Sequence, residues 1–316
     1  MSASRPEPAI AVTGLTKSFG DQPVLRGIDV TVPAGTVFAL LGPNGAGKTT
    51  VVRILTTLNR PDGGQVRVGG HDPVREPDGV RAAIGVTGQF AAVDEILTGA
   101  ENLRLMGRLL RLGSSETGRR TARLLEQFDL TDAAGKRAGS YSGGMRRRLD
   151  IAMSLMGRPR IVFLDEPTTG LDPRSRRELW RVIRGLVADG VTIFLTTQYL
   201  EEADQLADRI AVLDAGRIVA EGSAAELKRL APGGHLRLGF ADEHGLAAAV
   251  RALPGTEPDT EQLALRVPSD GSVGDIRKLL DHLDDHAVAI GELAIHTPDL
   301  DDVFFALTSA TVKGAA

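Results

Sequence analysis

The order of apolar and polar positions divides the chain into segments with different predicted secondary structure. Apolar and polar residues alternate over residues 9–32, which predicts antiparallel strands with one covered face. Continuous apolar runs at 37–41, 161–164 and 191–195 predict strands of a parallel sheet that is covered on both faces. Residues 93–157 instead carry apolar side chains three or four positions apart, which predicts an inserted helical subdomain.

The alternation of strands and helices in the first part of the chain predicts an α/β core. The pattern restarts after a turn-rich stretch near residue 231, which we interpret as a domain boundary. Beyond it, the apolar periodicity predicts a small α+β appendage. Its predicted elements are a strand at 235–240, a helix at 246–253, a strand at 263–267, a helix at 273–283, a strand at 288–295 and a helix at 300–307.

A phosphate-binding loop with the spacing G-x-x-x-x-G-K-T follows the first buried strand and precedes a predicted helix at 49–58. Its glycines permit backbone conformations that turn consecutive N–H groups toward phosphate oxygens at the positive end of a helix. In such a loop Lys48 contacts the β- and γ-phosphates, and the Thr49 hydroxyl binds Mg²⁺. The candidate nucleotide-binding residues here are Gly42, Pro43, Asn44, Gly45, Ala46, Gly47, Lys48, Thr49 and Thr50.

Two interpretations of this loop other than phosphate binding are disfavoured. A glycine-rich turn with a solvated lysine is disfavoured because a strand precedes the loop and a helix follows it. A dinucleotide-binding fold is disfavoured because Lys48 and Thr49 are present and the G-x-G-x-x-G spacing is missing.

A carboxylate pair, Asp165-Glu166, follows the second buried strand. A carboxylate at the end of such a strand can hold Mg²⁺ through its water shell, which is the role we assign to Asp165. We assign Glu166 as the general base that accepts a proton from the attacking water. Although a lone Asp-Glu pair is more often an exposed cap or ion pair, its position downstream of a phosphate loop favours catalysis.

A second candidate anion site lies at Ser142-Gly143-Gly144, directly ahead of a predicted helix. Ser142 is a residue type that caps helix N-termini, and the two glycines expose backbone N–H groups there. Because one nucleotide has only one γ-phosphate end, this turn is expected to serve a nucleotide held by a different copy of the chain. An ordinary Ser-Gly-Gly helix start is the alternative.

Composition excludes several classes of function. The 37 basic and 41 acidic residues give a net charge of −4, so no general basic field attracts nucleic acid or anionic lipid. The absence of cysteine excludes disulfides, thiolate metal sites and cysteine nucleophiles. No apolar run approaches the roughly 18 residues that span a bilayer, and the first residues lack the apolar core of a signal peptide. We therefore expect a soluble cytoplasmic chain that does not bind nucleic acid.

These motifs occur in the order found in the nucleotide-binding subunits of ATP-binding-cassette (ABC) transporters, which the chain resembles over about residues 9–225. The matching residues are Gly42 to Thr49, Gln89 after a strand, Ser142 to Gly144, Asp165-Glu166, and Gly170-Leu171-Asp172. The resemblance implies a P-loop NTPase cassette, with a RecA-like core, an antiparallel β subdomain and a helical subdomain at about 93–157. It places the ATP-binding domain at 9–230 and an α+β accessory domain at 235–316.

The same resemblance implies a head-to-tail dimer that holds two ATP molecules with Mg²⁺, each between the phosphate loop of one copy and the Ser142 turn of the other. It implies that Gln89 contacts Mg²⁺ and its water and relays occupancy to an integral membrane permease. Asp172 would connect the two sites across the dimer. Phe19 falls where the family places an aromatic side chain that stacks on adenine, and core packing is the alternative for this residue.

Two departures from the family pattern narrow the resemblance. Gln198 stands where the family usually has His. Glutamine can donate a hydrogen bond to the γ-phosphate but cannot become cationic. This difference implies slow hydrolysis. Tyr141, Met145 and the late segment 297–304 make the chain similar to the drug-exporter branch typified by daunorubicin/doxorubicin resistance ATP-binding subunits.

The resemblance therefore implies an ATP-hydrolysing subunit, peripheral at the cytoplasmic face of the cell membrane, that energises export of an amphipathic drug or lipid-like compound through a separate membrane subunit. The alternative is a soluble ABC ATPase that acts on DNA or the ribosome. Such chains commonly carry two cassettes or long basic insertions, whereas this chain has one cassette and a negative net charge. A metabolic kinase would leave Ser142-Gly143-Gly144 without a role.

Overall fold

The computed structural model describes five segments of the chain: residues 7–89, 91–230, 234–269, 272–296 and 299–304. The chain divides into two compact units, Met1–Ala224 and Ala225–Ala316. The boundary predicted near residue 231 falls at 231–233, which lie outside the described residues. The predicted domain limits, 9–230 and 235–316, therefore stay a prediction.

The first unit contains nine strands and seven helices among its described residues. Its strands are β1 (Ile10–Phe19), β2 (Gln22–Val32), β3 (Val37–Leu41), β4 (Gly63–Val68), β5 (Ile84–Thr87), β6 (Ile161–Asp165), β7 (Thr192–Thr197), β8 (Arg209–Asp214) and β9 (Arg217–Gly222). Its helices are α1 (Lys48–Leu55), α2 (Pro77–Ala83), α3 (Gly99–Leu109), α4 (Ser114–Gln127), α5 (Gly143–Ser154), α6 (Pro173–Ala188) and α7 (Leu200–Leu206). A short helix, α8 (Ala224–Lys228), follows β9.

A six-stranded sheet of order β5-β6-β7-β3-β8-β9 forms the centre of this unit. Its first five strands are parallel, and β9 pairs antiparallel with β8. Every residue of β3 and β6 is buried. Because successive side chains of a strand point to opposite faces, this burial means that both faces of the sheet are covered, as the continuous apolar runs predicted.

A three-stranded antiparallel sheet of order β2-β1-β4 holds the alternating segment. Its inward positions, such as Ile10, Leu15 and Ile28, are fully buried and share one hydrophobic core with Ile54 of α1. The strands predicted at residues 9–32 are therefore confirmed. Their apolar side chains pack against α1, the helix that follows the phosphate loop. This packing anchors the end of the loop to the hydrophobic core.

The inserted segment 93–157 is helical, as predicted, and contains α3, α4 and α5. Helix α3 begins with a capping box in which Thr98 and Glu101 satisfy each other's backbone N–H groups. Helix α2 was not predicted. It has only seven residues and begins with Pro77, so the sequence shows no sustained helical period there.

The second unit contains a four-stranded antiparallel sheet of order β11-β12-β10-β13. Its remaining elements are β10 (His235–Gly239), α9 (Glu243–Ala252), β11 (Glu257–Asp259), β12 (Ala264–Pro268), α10 (Val273–Asp285) and β13 (Glu292–His296). Buried side chains of β10, β12, α9 and α10 form a separate hydrophobic core. The α+β pattern predicted for this part of the chain is thus present among its described residues.

Three details of the second unit differ from the prediction or lie outside the description. The strand expected at 288–295 begins only at Glu292, because the N–H of Val288 instead donates to the carbonyl of Leu283 and closes α10. Strand β11 was not predicted, since its three residues are too few to show a period. Residues 300–304 are helical, whereas residues 297–298 and 305–307 lie outside the described residues.

In the described part of the chain, no helix is both long and apolar enough to cross a bilayer.

Candidate functional site

Four loops with predicted site residues lie at one edge of the central sheet. Each follows the carboxyl end of one of four neighbouring strands, β5, β6, β7 and β3. The residues that begin or lie in these loops are Gln89, Glu166, Gln198 and Gly42. Because the strands are parallel, their carboxyl ends meet at the same edge, where ligands bind in open α/β sheets. The sheet order therefore brings together motifs that are up to 156 positions apart in the chain, from Gly42 to Gln198.

The phosphate loop requires glycine at particular positions. Gly47 has a φ of 111° and Gly45 a φ of 82°, in a region that side-chain-bearing residues rarely adopt. At Gly42 the constraint is space, since an added Cβ would lie 2.3 Å from the carbonyl oxygen of Leu213. The Gly42 N–H donates to the Thr197 carbonyl at 3.2 Å, which ties the loop to β7. These glycines therefore hold the loop in one compact conformation.

The N-terminus of α1 opens into this loop. Its N-cap is Gly47, which brings no side chain, so the N–H groups of the first turn have no capping acceptor. Lys48 is 5% exposed, and its ammonium donates to the carbonyls of Gly42 and Pro43 at 2.8 and 3.1 Å. An uncapped helix N-terminus beside a buried cation fits a polyphosphate ligand.

The carboxylate pair lies next to this lysine. Glu166 Oε1 is 3.4 Å from Lys48 Nζ, and Glu166 has a φ of 47°, in the left-handed region. The buried Thr196 hydroxyl donates to Asp165 Oδ1 at 2.5 Å. The Glu166 N–H in turn donates to Thr196 O and Oγ1 at 3.1 and 3.2 Å. One threonine of β7 thus holds both carboxylate-bearing residues.

The residues present at this edge also fit Mg²⁺. The Asp165 carboxylate and the hydroxyl of Thr49, an exposed residue, offer oxygen atoms of the kind that Mg²⁺ prefers. Among residues for which the structure gives positions, no three His, Cys, Asp or Glu side chains form a metal-binding group. This arrangement suits a Mg²⁺ ion that takes most of its ligands from phosphates and water and few from the protein.

The Ser142 turn forms the N-terminus of α5. Ser142 is the N-cap, and its hydroxyl accepts the N–H of Met145 at 3.2 Å. Both Ser142 and Gly143 are exposed, whereas Gly144 packs so closely on α6 that an added Cβ would lie 2.6 Å from Ser175 Oγ. The two glycines therefore differ, because Gly144 is required by packing and Gly143 faces outward.

Tyr141 and Asp172 hold this turn in place from either side. The buried Tyr141 hydroxyl donates to the Ala133 carbonyl at 2.6 Å, and burial raises the pKa of this phenol. Asp172 is the N-cap of α6 and accepts the Ser175 hydroxyl at 2.6 Å as well as two backbone N–H groups. These hydrogen bonds, led by that of the Ser175 hydroxyl, lower the Asp172 pKa. Asp172 therefore contacts the residue on which Gly144 packs.

Three predicted site residues have exposed or partly exposed side chains. Gln89 is exposed just beyond β5, and Gln198 is half-buried just beyond β7. Phe19 is 51% exposed, and Lys17 Nζ lies 5.4 Å from its ring centroid. This exposure is incompatible with core packing, which was the alternative for Phe19, and it leaves one face of the ring available to a planar ligand.

Sequence reasoning missed Thr196 and Arg147, two buried polar residues that contact the motifs. Thr196 belongs to an apolar strand and resembles an ordinary β-branched core residue. Arg147 lies in a run of three arginines and resembles a solvated charge. Its spacing, three residues after Gly144 and four before Ile151, does place it on the buried face of α5 and could have identified it.

Residues 25–169 match the family described as ABC transporter. The chain is 50% identical to the daunorubicin resistance ATP-binding protein DrrA3 of Streptomyces coeruleorubidus, over 98% of this chain and 99% of that relative. The chain belongs to the ABC transporter family. It is also 44% identical to the Nod factor export ATP-binding protein I of Rhizobium meliloti (strain 1021), over 69% of this chain and 65% of that protein.

A solved structure of an ATP-binding subunit of an ABC transporter has the same fold as this ABC cassette, with a TM-score of 0.63 and 29% identity over 70% of this chain and 92% of that chain. The predicted fold class and the ATP-hydrolysing activity are confirmed. The predicted exporter branch is also confirmed, and the alternative of a DNA- or ribosome-directed ATPase is not favoured by these relatives.

Proposed function

We propose that this ABC subunit energises export of an amphipathic drug or lipid-like compound through a separate integral membrane permease. It would act as a peripheral subunit at the cytoplasmic face of the cell membrane. The observation that carries this proposal is the similarity to the daunorubicin resistance ATP-binding protein, which covers 98% of this chain and therefore extends into the second unit. The similarity to the Nod factor export protein covers only 69% of the chain.

The proposed roles at the sheet edge follow from its polar contacts. Lys48 and the α1 N-terminus bind the phosphates of ATP, and Gln198 donates a hydrogen bond to the γ-phosphate. Asp165, Thr49 and Gln89 hold Mg²⁺, which when bound would offset the negative charge of the phosphates. Phe19 stacks on adenine. The support for these roles is that the loops carrying the polar residues follow neighbouring parallel strands.

Glu166 acts as the general base for the attacking water. In the structure its carboxylate lies 3.4 Å from the Lys48 ammonium, with which it forms an ion pair. Phosphate oxygens compete for the same ammonium. We therefore infer that ATP binding draws Lys48 away from Glu166 and leaves the Glu166 carboxylate free to contact the attacking water.

A second copy of the chain completes the site. Its exposed Ser142 and Gly143 contact the triphosphate from the opposite side, while Asp172 connects the two sites across the head-to-tail dimer. The Ser175 contacts described above support this role, because they join Asp172 to the signature turn. We further propose that residues 9–230 form the ATP-driven motor and that residues 235–316 form an accessory domain.

Purification of the full chain from native membranes in mild detergent tests the proposed function. We expect it to co-purify with a polytopic membrane protein and to hydrolyse ATP faster when daunorubicin is added, an effect that Lys48→Ala abolishes. Recovery only with ribosomes or nucleic acid would contradict a transport role. Co-purification with a membrane protein but no response to any amphipathic drug would retain transport and overturn the proposed cargo.

A further inference from the structure

The middle residue of the arginine run that follows the Ser142 turn has an unusual environment. The side chain of Arg147 is 7% exposed, whereas those of Arg146 and Arg148 are 37% and 13% exposed. Burying a guanidinium is unfavourable unless its N–H groups are satisfied by hydrogen bonds. The partners of Arg147 therefore indicate why a charge is placed there.

Two of these partners flank Glu166. Arg147 Nη2 donates to the Asp165 carbonyl at 3.1 Å, and Arg147 Nε donates to the Pro167 carbonyl at 3.0 Å. These are the carbonyls of the residues immediately before and after Glu166. Because Glu166 has a left-handed φ of 47°, its conformation is unfavourable for a residue with a side chain. Such a conformation persists when the surrounding structure holds it on both sides.

The third contact reaches the loop that carries Gln89. Arg147 Nη1 donates to the Gly88 carbonyl at 2.7 Å and to Asp150 Oδ2 at 3.2 Å. The other oxygen of Asp150 accepts the N–H of Ala92 at 3.0 Å. The Arg147–Asp150 pair on α5 therefore anchors the backbone on both sides of Gln89.

We propose that Arg147 is a positioning residue that ties the turn of Glu166 and the loop of Gln89 to the helix that begins at Ser142. A movement of α5 would then shift the proposed base and the proposed Mg²⁺ contact together. The inference rests on the proposed role of Glu166, although the backbone contacts of Arg147 do not. Arg147 touches neither ATP nor water in this mechanism, and it acts through the backbone that it holds.

The planar shape of the guanidinium is essential to this arrangement. Its N–H groups point in fixed, divergent directions, so they can reach carbonyls from separate loops at once. A lysine ammonium is a single point donor and cannot satisfy all four acceptors. If Arg147 served only to neutralise the buried Asp150, lysine would replace it without loss.

Arg147→Lys in the full chain separates these two roles. We expect kcat for ATP hydrolysis to fall about 10- to 100-fold because the base is misplaced, with ATP affinity within about two-fold of wild type because the Lys48 site is intact. Amide hydrogen exchange should increase at Gln89, Glu166 and Thr168. Arg146→Lys is the matched control, since its 2.8 Å contact to Glu95 is one that lysine can make.

Wild-type kcat and unchanged exchange in Arg147→Lys would overturn the proposal. Should that variant fail to fold, the double variant Arg147→Gln/Asp150→Asn removes the buried charges together and still loses the contacts to Asp165 and Pro167. Full turnover by the folded double variant would equally contradict the proposal, and failure of both variants to fold would show a role in stability instead. Normal turnover by Glu166→Gln would remove the proposed base, while the exchange measurement would still decide the role of Arg147.

Discussion

The two helix N-termini that we propose to meet ATP, those of α1 and α5, are built in different ways. At α1 the N-cap is Gly47, no side chain caps the helix, and the adjoining Lys48 is buried. The N–H groups of this turn are therefore available to a ligand in a conformation that is already fixed, and the ammonium is held beside them by two carbonyls and Glu166. A site that is preorganised in this way loses little conformational entropy on binding.

At α5 the N-cap Ser142 already accepts the N–H of Met145, and the turn is exposed. The nearest cation on the helix, Arg146, pairs with Glu95. This turn therefore offers a ligand the Ser142 hydroxyl and the outward-facing Gly143. Its nearest cation is already paired with a carboxylate. This difference supports the proposal that α1 provides most of the affinity for ATP, whereas α5 adds contacts from a second copy of the chain.

Lys48→Ala is expected to have the largest effect on ATP affinity, because it removes the only charged side chain in the first turn of α1. Loss of two or more charge-assisted hydrogen bonds should weaken ATP binding about 100-fold or more. Isothermal titration of the purified chain with ATP and magnesium measures this change. Lys136→Ala, an exposed lysine of the inserted helical segment, is the control and should bind ATP like wild type.

Glu166→Gln should separate binding from turnover. The variant retains the α1 turn and Lys48 but loses the base, so kcat is expected to fall by about 10² to 10⁴. ATP binding should persist, and the two copies should remain associated in ATP and magnesium, which light scattering after size-exclusion chromatography detects. Rapid turnover would exclude Glu166 as the base, and a strict monomer at saturating ATP would exclude the shared site.

Ser142→Ala tests the N-terminus of α5, as Lys48→Ala tests the N-terminus of α1. Loss of the N-cap should lower the free energy of unfolding by about 1 kcal/mol. In the Glu166→Gln background, loss of one phosphate contact should also weaken ATP-dependent dimerisation about 10-fold. The ATP affinity of a single copy should not change. Thr98→Ala is the matched control, because it removes the N-cap of α3 and should cost similar stability without affecting dimerisation.

Gln198→Ala is expected to have the smallest effect. A neutral hydrogen bond to the γ-phosphate contributes modestly, so turnover should slow by about two- to ten-fold with little change in ATP affinity. Steady-state hydrolysis at saturating ATP measures it. If turnover does not change, Gln198 is a spectator, and the protein contacts to the γ-phosphate come from Lys48 and the two helix N-termini.

The phosphate loop and Asp165-Glu166 were predictable because their chemistry depends on residues that are adjacent in the chain. Gly42 to Thr49 belong to one continuous segment. The apolar patterns on either side of it predict the strand before the loop and the helix after it. The same locality explains why the Ser142 turn was recognised as a helix start. The shorter elements α2 and β11 were missed, since a few residues do not establish a period.

Arg147 and Thr196 could not be assigned in this way, because their partners come from distant segments. Arg147 binds a carbonyl 59 positions earlier in the chain and two others 18 and 20 positions later. Thr196 bonds to Asp165, 31 positions earlier, only because β6 and β7 are neighbours in the sheet. Residue type alone predicts a surface charge for Arg147 and a core residue for Thr196.

The sequence by itself determined the nucleotide chemistry, since glycine, lysine and carboxylate act through local backbone geometry and charge. It also determined the division into strands and helices, because burial of one face requires a period. Only the tertiary structure decided which carbonyls the buried arginine contacts and which strands lie side by side. These features depend on packing between segments, where small differences in space and hydrogen bonding select one arrangement among many with the same local pattern.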